Sequence, residues 1–214
     1  MTESMLELME EASRFIYSRG RQSGDLSTSM QELISLCREV QPHPDWPLLA
    51  EIGFSSGSAE LTAWLEATLR NSPPDPEIRG LWFGLFNPID GESGDLIRDA
   101  TADIYVGGSR VYAPGDADHE WASELDYQPE EGDAHSSVLG RVYSLAYGKA
   151  DGLQNSAEYP LCLGFATFWM REVLNLRHVR TLVAGEIGRG VAVGFDSGDA
   201  IDFGLIRGSR AAGA

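Results

Sequence analysis

Hydrophobic side chains recur at helical spacing through the first third of the chain. Met5, Leu8, Met9, Ala12, Phe15 and Ile16 form one stripe, and Met30, Leu33, Ile34, Cys37 and Val40 form another behind a Ser29-x-x-Glu32 capping box. A third stripe, Leu61, Trp64, Leu65, Thr68 and Leu69, runs from Ser58 and is closed by Asn71-Ser72-Pro73-Pro74-Asp75-Pro76. Three amphipathic helices are therefore expected before residue 72.

Beyond the prolines the pattern changes. Ile78 to Phe86 is short, aromatic and bounded by the turn-forming Asn87-Pro88 and Asp90-Gly91, which predicts a strand. Ala100 to Val106 predicts a second, with Ile104 and Val106 alternating against Asp103 and Tyr105, and Gly107-Gly108 offers a tight turn into Arg110-Val111-Tyr112. Helical spacing returns at Val138, Leu139, Val142, Tyr143 and Ala146. Pro160 then suits the first turn of a helix running to about Leu176. That helix is apolar on most sides, through Leu161, Cys162, Leu163, Phe165, Phe168, Trp169 and Met170, so it must lie at the centre of the core. Val191 to Phe195 and Ala200 to Ile206 flank Asp196-Ser197-Gly198-Asp199 and predict a hairpin with a four-residue loop.

Helices interrupted by strands without regular alternation imply the α+β class: a mostly antiparallel sheet packed on a buried helix, with a helical N-terminal region. Residues 1–72 form that helical region, 77–207 the α+β region, and the two are expected to make one compact unit. Residues 208–214 are small and read as a flexible tail.

At 214 residues and 43% hydrophobic content, the chain can bury one good core. Thirty-three acidic against 16 basic side chains leave a net charge of −17, which argues against nucleic acid and anionic membranes as partners. The opening residues lack the basic start and apolar stretch of a secretory leader, and the most apolar run, Leu161 to Met170, is too short to span a bilayer. Cys37 and Cys162 sit among apolar neighbours and read as reduced core thiols, so a cytoplasmic location is expected. Lys149 is the lone lysine among arginines and reads as a coding bias.

The charge is concentrated. Residues 90–133 hold thirteen acidic side chains against Arg98 and Arg110, and so carry eleven of the seventeen net negative charges. One reading is a solvated face that keeps the protein soluble. The sharper reading is a docking surface, because Tyr105, Tyr112, Trp121 and Tyr127 lie within the acidic stretch and interfaces use such rings as anchors. The expected partner-binding residues are Asp103, Tyr105, Tyr112, Asp116, Asp118, Glu120, Trp121, Glu124, Asp126 and Tyr127.

Motifs for chemistry are sparse. Gly53-Phe54-Ser55-Ser56-Gly57 matches the G-x-S-x-G pattern of a hydrolase elbow, with Asp118 or Asp126 and His178 in the required order, but no strands precede it. So short a pattern arises by chance, and it reads as a Gly/Ser loop capping the third helix. Asp116-x-Asp118-x-Glu120 opens like a calcium loop, yet Trp121 and Tyr127 stand where the turn glycine and the bidentate glutamate belong. His43, His119, His135 and His178 are scattered without zinc spacing. Gly185-x-x-Gly188-x-Gly190 precedes a strand, the wrong order for a phosphate cradle, and reads as a flexible turn. Glu158 and Asp199 would form an acid/base pair only if the fold joined them. No metal, cofactor or catalytic residue is expected.

Three stretches, Tyr105-Val-Gly-Gly-Ser109, Ala157-Glu-Tyr-Pro-Leu-Cys-Leu-Gly164 and Val191-Ala-Val-Gly-Phe-Asp-Ser-Gly198, resemble segments of small bacterial proteins of the kind that includes immunity proteins paired with polymorphic toxins. The resemblance runs from about residue 78 to 206 and brings no catalytic motif. It implies a non-enzymatic acidic binding protein that neutralises a basic partner, such as a toxin domain, by occlusion. The alternatives are a small serine hydrolase using Ser55 and a self-associating structural or regulatory module.

Overall fold

A computed structural model describes residues 3–86, 103–116, 119–196 and 199–208. Helices α1 (Glu3–Gly20) and α2 (Leu26–Val40) carry the first two stripes inward, through Leu8, Ala12 and Ile16 on one and Met30, Leu33, Ile34 and Cys37 on the other. The start of α2 differs from the expected capping box. Asp25 is the N-cap, its carboxylate accepting from the Thr28 N–H at 2.7 Å, while the Ser29 hydroxyl donates to the Asp25 carbonyl at 2.8 Å. Aspartate caps as well as serine does, and the earlier start adds Leu26 to the buried face. Glu32 pairs with Arg19 of α1 instead.

A short helix, α3 (Trp46–Ala50), buries Trp46 and Leu49. Helix α4 (Phe54–Asn71) starts four residues ahead of Ser58, because Phe54 and Gly57 also face the core. Gly57 lies tight against α5 (Ser137–Tyr147), where an added methyl would come within 2.4 Å of Val138.

The sheet has five strands among the described residues: β1 (Gly80–Leu85), β2 (Ile104–Ser109), β3 (Asp133–Ala134), β4 (Arg189–Phe195) and β5 (Ala200–Ile206), in the order β3-β2-β1-β4-β5. Every neighbouring pair is antiparallel except β1–β4, which is parallel. The fold is thus α+β with a mostly antiparallel sheet. The β4–β5 hairpin forms with its four-residue connection, Phe195 N–H donating to the Asp199 carbonyl at 3.0 Å; Ser197 and Gly198 lie outside the described residues. So do the expected start of β2 at Ala100 and the tail from residue 209. The tight turn expected at Gly107-Gly108 is absent: both glycines lie within β2.

Helix α6 (Asn155–Asn175) is buried nearly all round, between α1, α2, α5 and the inner face of the sheet. It begins five residues before Pro160, so the proline stands inside the helix rather than in its first turn. Trp169 meets Phe83 of β1 edge-on, with ring centroids 5.9 Å apart. Gly164 lets α2 approach, since a methyl there would lie 2.4 Å from Leu33. Ile16, Leu33, Phe165, Trp169, Phe83 and Val193 belong to one continuous core, so the N-terminal helices and the sheet share their interior. Helix α7 (Arg177–Ala184) leads into β4 through Gly185 and Gly188, both at positive φ (58° and 87°), where glycine avoids the strain any side chain would bring. Among the described residues, no helix is long and apolar enough to cross a membrane.

Candidate functional site

Alternation splits the two central strands cleanly. Leu81, Phe83 and Leu85 of β1 enter the main core, while Gly80, Trp82 and Gly84 face the opposite side of the sheet. That outer face carries glycines where strands usually carry bulk, and each glycine makes a slot for a ring or branched side chain. A methyl at Gly80 would lie 2.5 Å from Trp121, at Gly84 2.1 Å from Tyr105, at Gly107 2.5 Å from Leu125, and at Gly190 2.2 Å from Tyr112. Three of these groups come from one strap, residues 110–134, which crosses from β4 over β1 to β2 and ends in β3. Trp121 meets Tyr112 and Trp82 edge-on at 5.3 and 6.4 Å.

Hydrogen bonds pin the strap further. Tyr112 Oη donates to the Asp202 carboxylate of β5 at 2.9 Å, and Tyr127 Oη to the Ser72 carbonyl at 2.6 Å. The Glu131 carbonyl accepts from Trp64 Nε1 (3.0 Å) and Thr68 Oγ1 (2.9 Å) of α4. Asp126 holds the Arg110 backbone N–H and guanidinium at 2.9 and 3.0 Å, and Asp116 accepts from the Glu120 N–H at 2.9 Å.

The residues expected to bind a partner therefore divide. Glu120, Glu124 and Asp126 are exposed on the strap, alongside Glu130, Glu131 and Asp133. Trp121 is buried and cannot touch a partner directly, because its ring fills the Gly80 slot. Tyr105, Tyr112 and Tyr127 are half-buried, and their hydroxyls are engaged within the protein, that of Tyr105 by Asp196 at the surface and those of Tyr112 and Tyr127 in part-buried bonds. Asp103 is buried away from the strap's surface, accepting from the Ser136 N–H at 2.7 Å at the start of α5. Asp118 lies outside the described residues, as do Asp90, Glu92, Asp95 and Asp99. Burial, and for two of the three a carboxylate partner, pushes the phenols of Tyr105, Tyr112 and Tyr127 above their ordinary range, so all three stay neutral donors.

A second feature lies where the parallel pair β1 and β4 end. A cleft of about 960 Å³ opens between the C-terminal ends of these strands, α1 and the first turns of α6. Its walls are mixed. Met9, Leu85, Phe86 and Phe195 supply apolar surface, and Tyr159 stacks on Phe195 with centroids 6.1 Å apart and planes 17° from parallel. Glu10, Glu158, Asp196 and Asp199 bring carboxylates, and Arg14, the one cation among the described lining residues, is already paired with Glu11 at 3.0 Å. Glu158 is only 3% exposed and accepts a hydrogen bond from the Tyr147 hydroxyl. Burial raises its carboxyl above the usual glutamate value, and the Tyr147 bond only partly offsets that. Asp196 is engaged from the outer layer, accepting from Tyr105 Oη at 2.6 Å. The fold thus places Glu158 and Asp199, two sequence positions that spacing alone could not relate, on the walls of one cleft.

The hydrolase pattern is not assembled. Ser55 lies in the first turn of α4 and shares a 2.7 Å hydrogen bond with Ser27 Oγ. His178 faces Glu66 at 3.3 Å, and Glu66 lies eleven residues along the same helix, roughly 16 Å away at 1.5 Å per residue. Cys37 and Cys162 are buried and unpaired, and burial raises the Cys37 thiol to about 12, which leaves it inert. Among the described residues, no group of His, Cys, Asp and Glu is arranged to hold a metal ion.

Compared with models of protein families, with curated proteins and with solved structures, the chain matches none.

Proposed function

We propose that this protein is a non-enzymatic acidic binding protein of the immunity type, acting in the cytoplasm to neutralise a basic protein partner, a toxin domain, by covering it. The observation that supports this reading is the strap. Six carboxylates, at Glu120, Glu124, Asp126, Glu130, Glu131 and Asp133, are exposed on a segment that ring-in-glycine packing and inward hydrogen bonds hold in place. Negative potential on a pre-ordered surface speeds encounter with a cationic partner and lowers the entropy lost on docking. The aromatic groups of the strap serve this surface from beneath, by fixing its shape. Occlusion requires no turnover.

The test uses the basic toxin domain of a secreted protein encoded beside this chain. Equimolar protein is expected to abolish the toxin's activity. Reversal of Glu120, Glu124 and Glu130 to lysine is expected to raise the concentration needed by about a hundredfold, the sum of several rim charge pairs. Neutralisation by the triple variant at the wild-type concentration contradicts the proposal.

A further inference from the structure

The cleft at the ends of β1 and β4 has no role in strap-mediated docking, and its chemistry is specific. Its volume, about 960 Å³, is that of a site for a whole small molecule rather than for a lone ion. Its position, at the carboxyl ends of two adjacent parallel strands and beside a helix start, is where open sheets commonly bind ligands. Among the described residues four carboxylates line it against a single guanidinium that is already paired, which disfavours an anion. The stacked faces of Tyr159 and Phe195 do not ligate a hard metal ion but do attract an organic cation. Glu158 is the strongest sign. A carboxylate 3% exposed, held by one phenol and paired with no cation among the described residues, lacks the counter-charge that burial of an acid calls for.

We propose that the cleft binds a small organic cation, an ammonium or guanidinium group on an apolar body, with Glu158 and Asp199 as counter-charges and the Tyr159–Phe195 stack as the wall that covers the body. Asp196, fixed by Tyr105, sets the negative potential at the mouth. Ser13 of α1 lines the same cleft as Tyr159 and adds a hydroxyl to its wall. The cation would neutralise Glu158 without disturbing its bond from Tyr147.

Calorimetric titration of the full chain with phenethylammonium and butylguanidinium tests this, with 2-phenylethanol and 3-phenylpropionate as neutral and anionic counterparts. At least one cation is expected to bind with a Kd below about 1 mM, and the alcohol and carboxylate about tenfold or more weaker. Glu158→Gln and the exposed Asp199→Asn are each expected to weaken cation binding about tenfold, while lysine reversals on the strap leave it unchanged. Asp199→Asn keeps the test valid should the buried variant fold poorly. The proposal is overturned if neither cation saturates by about 10 mM, if the neutral or anionic probe binds as tightly, or if Asp199→Asn binds the cation as the wild type does.

Discussion

Arg189 shows how a single side chain can be unreadable in sequence and central in space. It opens β4 and sends its guanidinium into the interior, where it donates to the carbonyls of Ile78 (3.2 Å), Val183 (3.2 Å), Pro74 (2.9 Å) and Asp75 (3.3 Å). The Val183 carbonyl belongs to the last turn of α7, the negative end of that helix. Arg189 thus ties the proline segment before β1 to the end of α7. Five fixed donors suit this set, and the three of an ammonium do not. Arg189→Lys is expected to cost about 2–4 kcal/mol in urea unfolding, a loss well above that of a surface exchange. A change within about 0.5 kcal/mol would show that the carbonyls find other partners. Lys149, which reads as compositional bias, likewise has a structural role, since its Nζ lies 2.8 Å from buried Asp45 and anchors the loop after α5 to α3.

Glu158 yields a pH signature. Its folded-state carboxyl is raised above the unfolded value, so the native state holds the proton more tightly and stability falls as pH rises through the raised value. Facing it are the Tyr147 and Tyr143 phenols of α5 and the Cys162 thiol of α6, all neutral across this range; Glu10 and Arg14 of α1 and Asp196 and Asp199 share its cleft. Glu158→Gln is therefore expected to match the wild type in melting temperature near pH 4 and to exceed it at pH 7 to 8. A constant difference between the two across that range would contradict the burial argument.

Among the elements, the helices were legible because their signal is local. Each apolar stripe is complete within one segment; it is fully buried in α5, while in α1, α2 and α4 its centre is buried and Met5, Met9, Phe15, Val40 and Trp64 are half-buried at its margins. Boundaries were less so, since Asp25 competes with Ser29 for the cap and Phe54 extends α4 backwards. The outer layer was not legible. Gly107-Gly108 reads as a turn because glycine in a strand usually marks one, whereas here Gly107 makes room for Leu125 of the strap and Gly108 for the close approach of Ile78 and the Gly80 carbonyl. Gly190→Val distinguishes the two causes. Strand propensity alone favours valine, but its side chain must displace Tyr112, so a loss of about 1–3 kcal/mol is expected, with a change in Trp121 fluorescence and faster proteolysis of the strap. Unchanged stability and fluorescence would mean that the slot is not needed.

As one body, the protein carries its charge unevenly over a shared interior. The proline segment at 72–76 lies between the two sequence regions, yet Pro74 is buried and bonded to Arg189, and Ile16 and Leu33 of the N-terminal region pack in the same core as Phe165 and Phe83. A fragment of residues 77–207 is accordingly expected to remain unfolded by circular dichroism, and an independently folded fragment would contradict the shared core. Of the candidate surface, sequence shows where the acids are, since charge density is a property of the chain. It cannot show that Asp103 and Trp121 point inward, because facing depends on partners many residues away. Nor can it show the cleft, which exists only where β1, β4, α1 and α6 converge.

If the exposed carboxylates of the strap steer a basic partner onto this protein, the encounter must weaken as salt screens them. The decisive quantity is the association rate constant with the basic partner domain as salt is raised from about 0.05 to about 0.5 M. A steering surface predicts a fall of about tenfold or more for the wild type, and a rate for the Glu120, Glu124 and Glu130 lysine variant that is low at the outset and nearly independent of salt. Equal rates and equal salt dependence for the two proteins would contradict it.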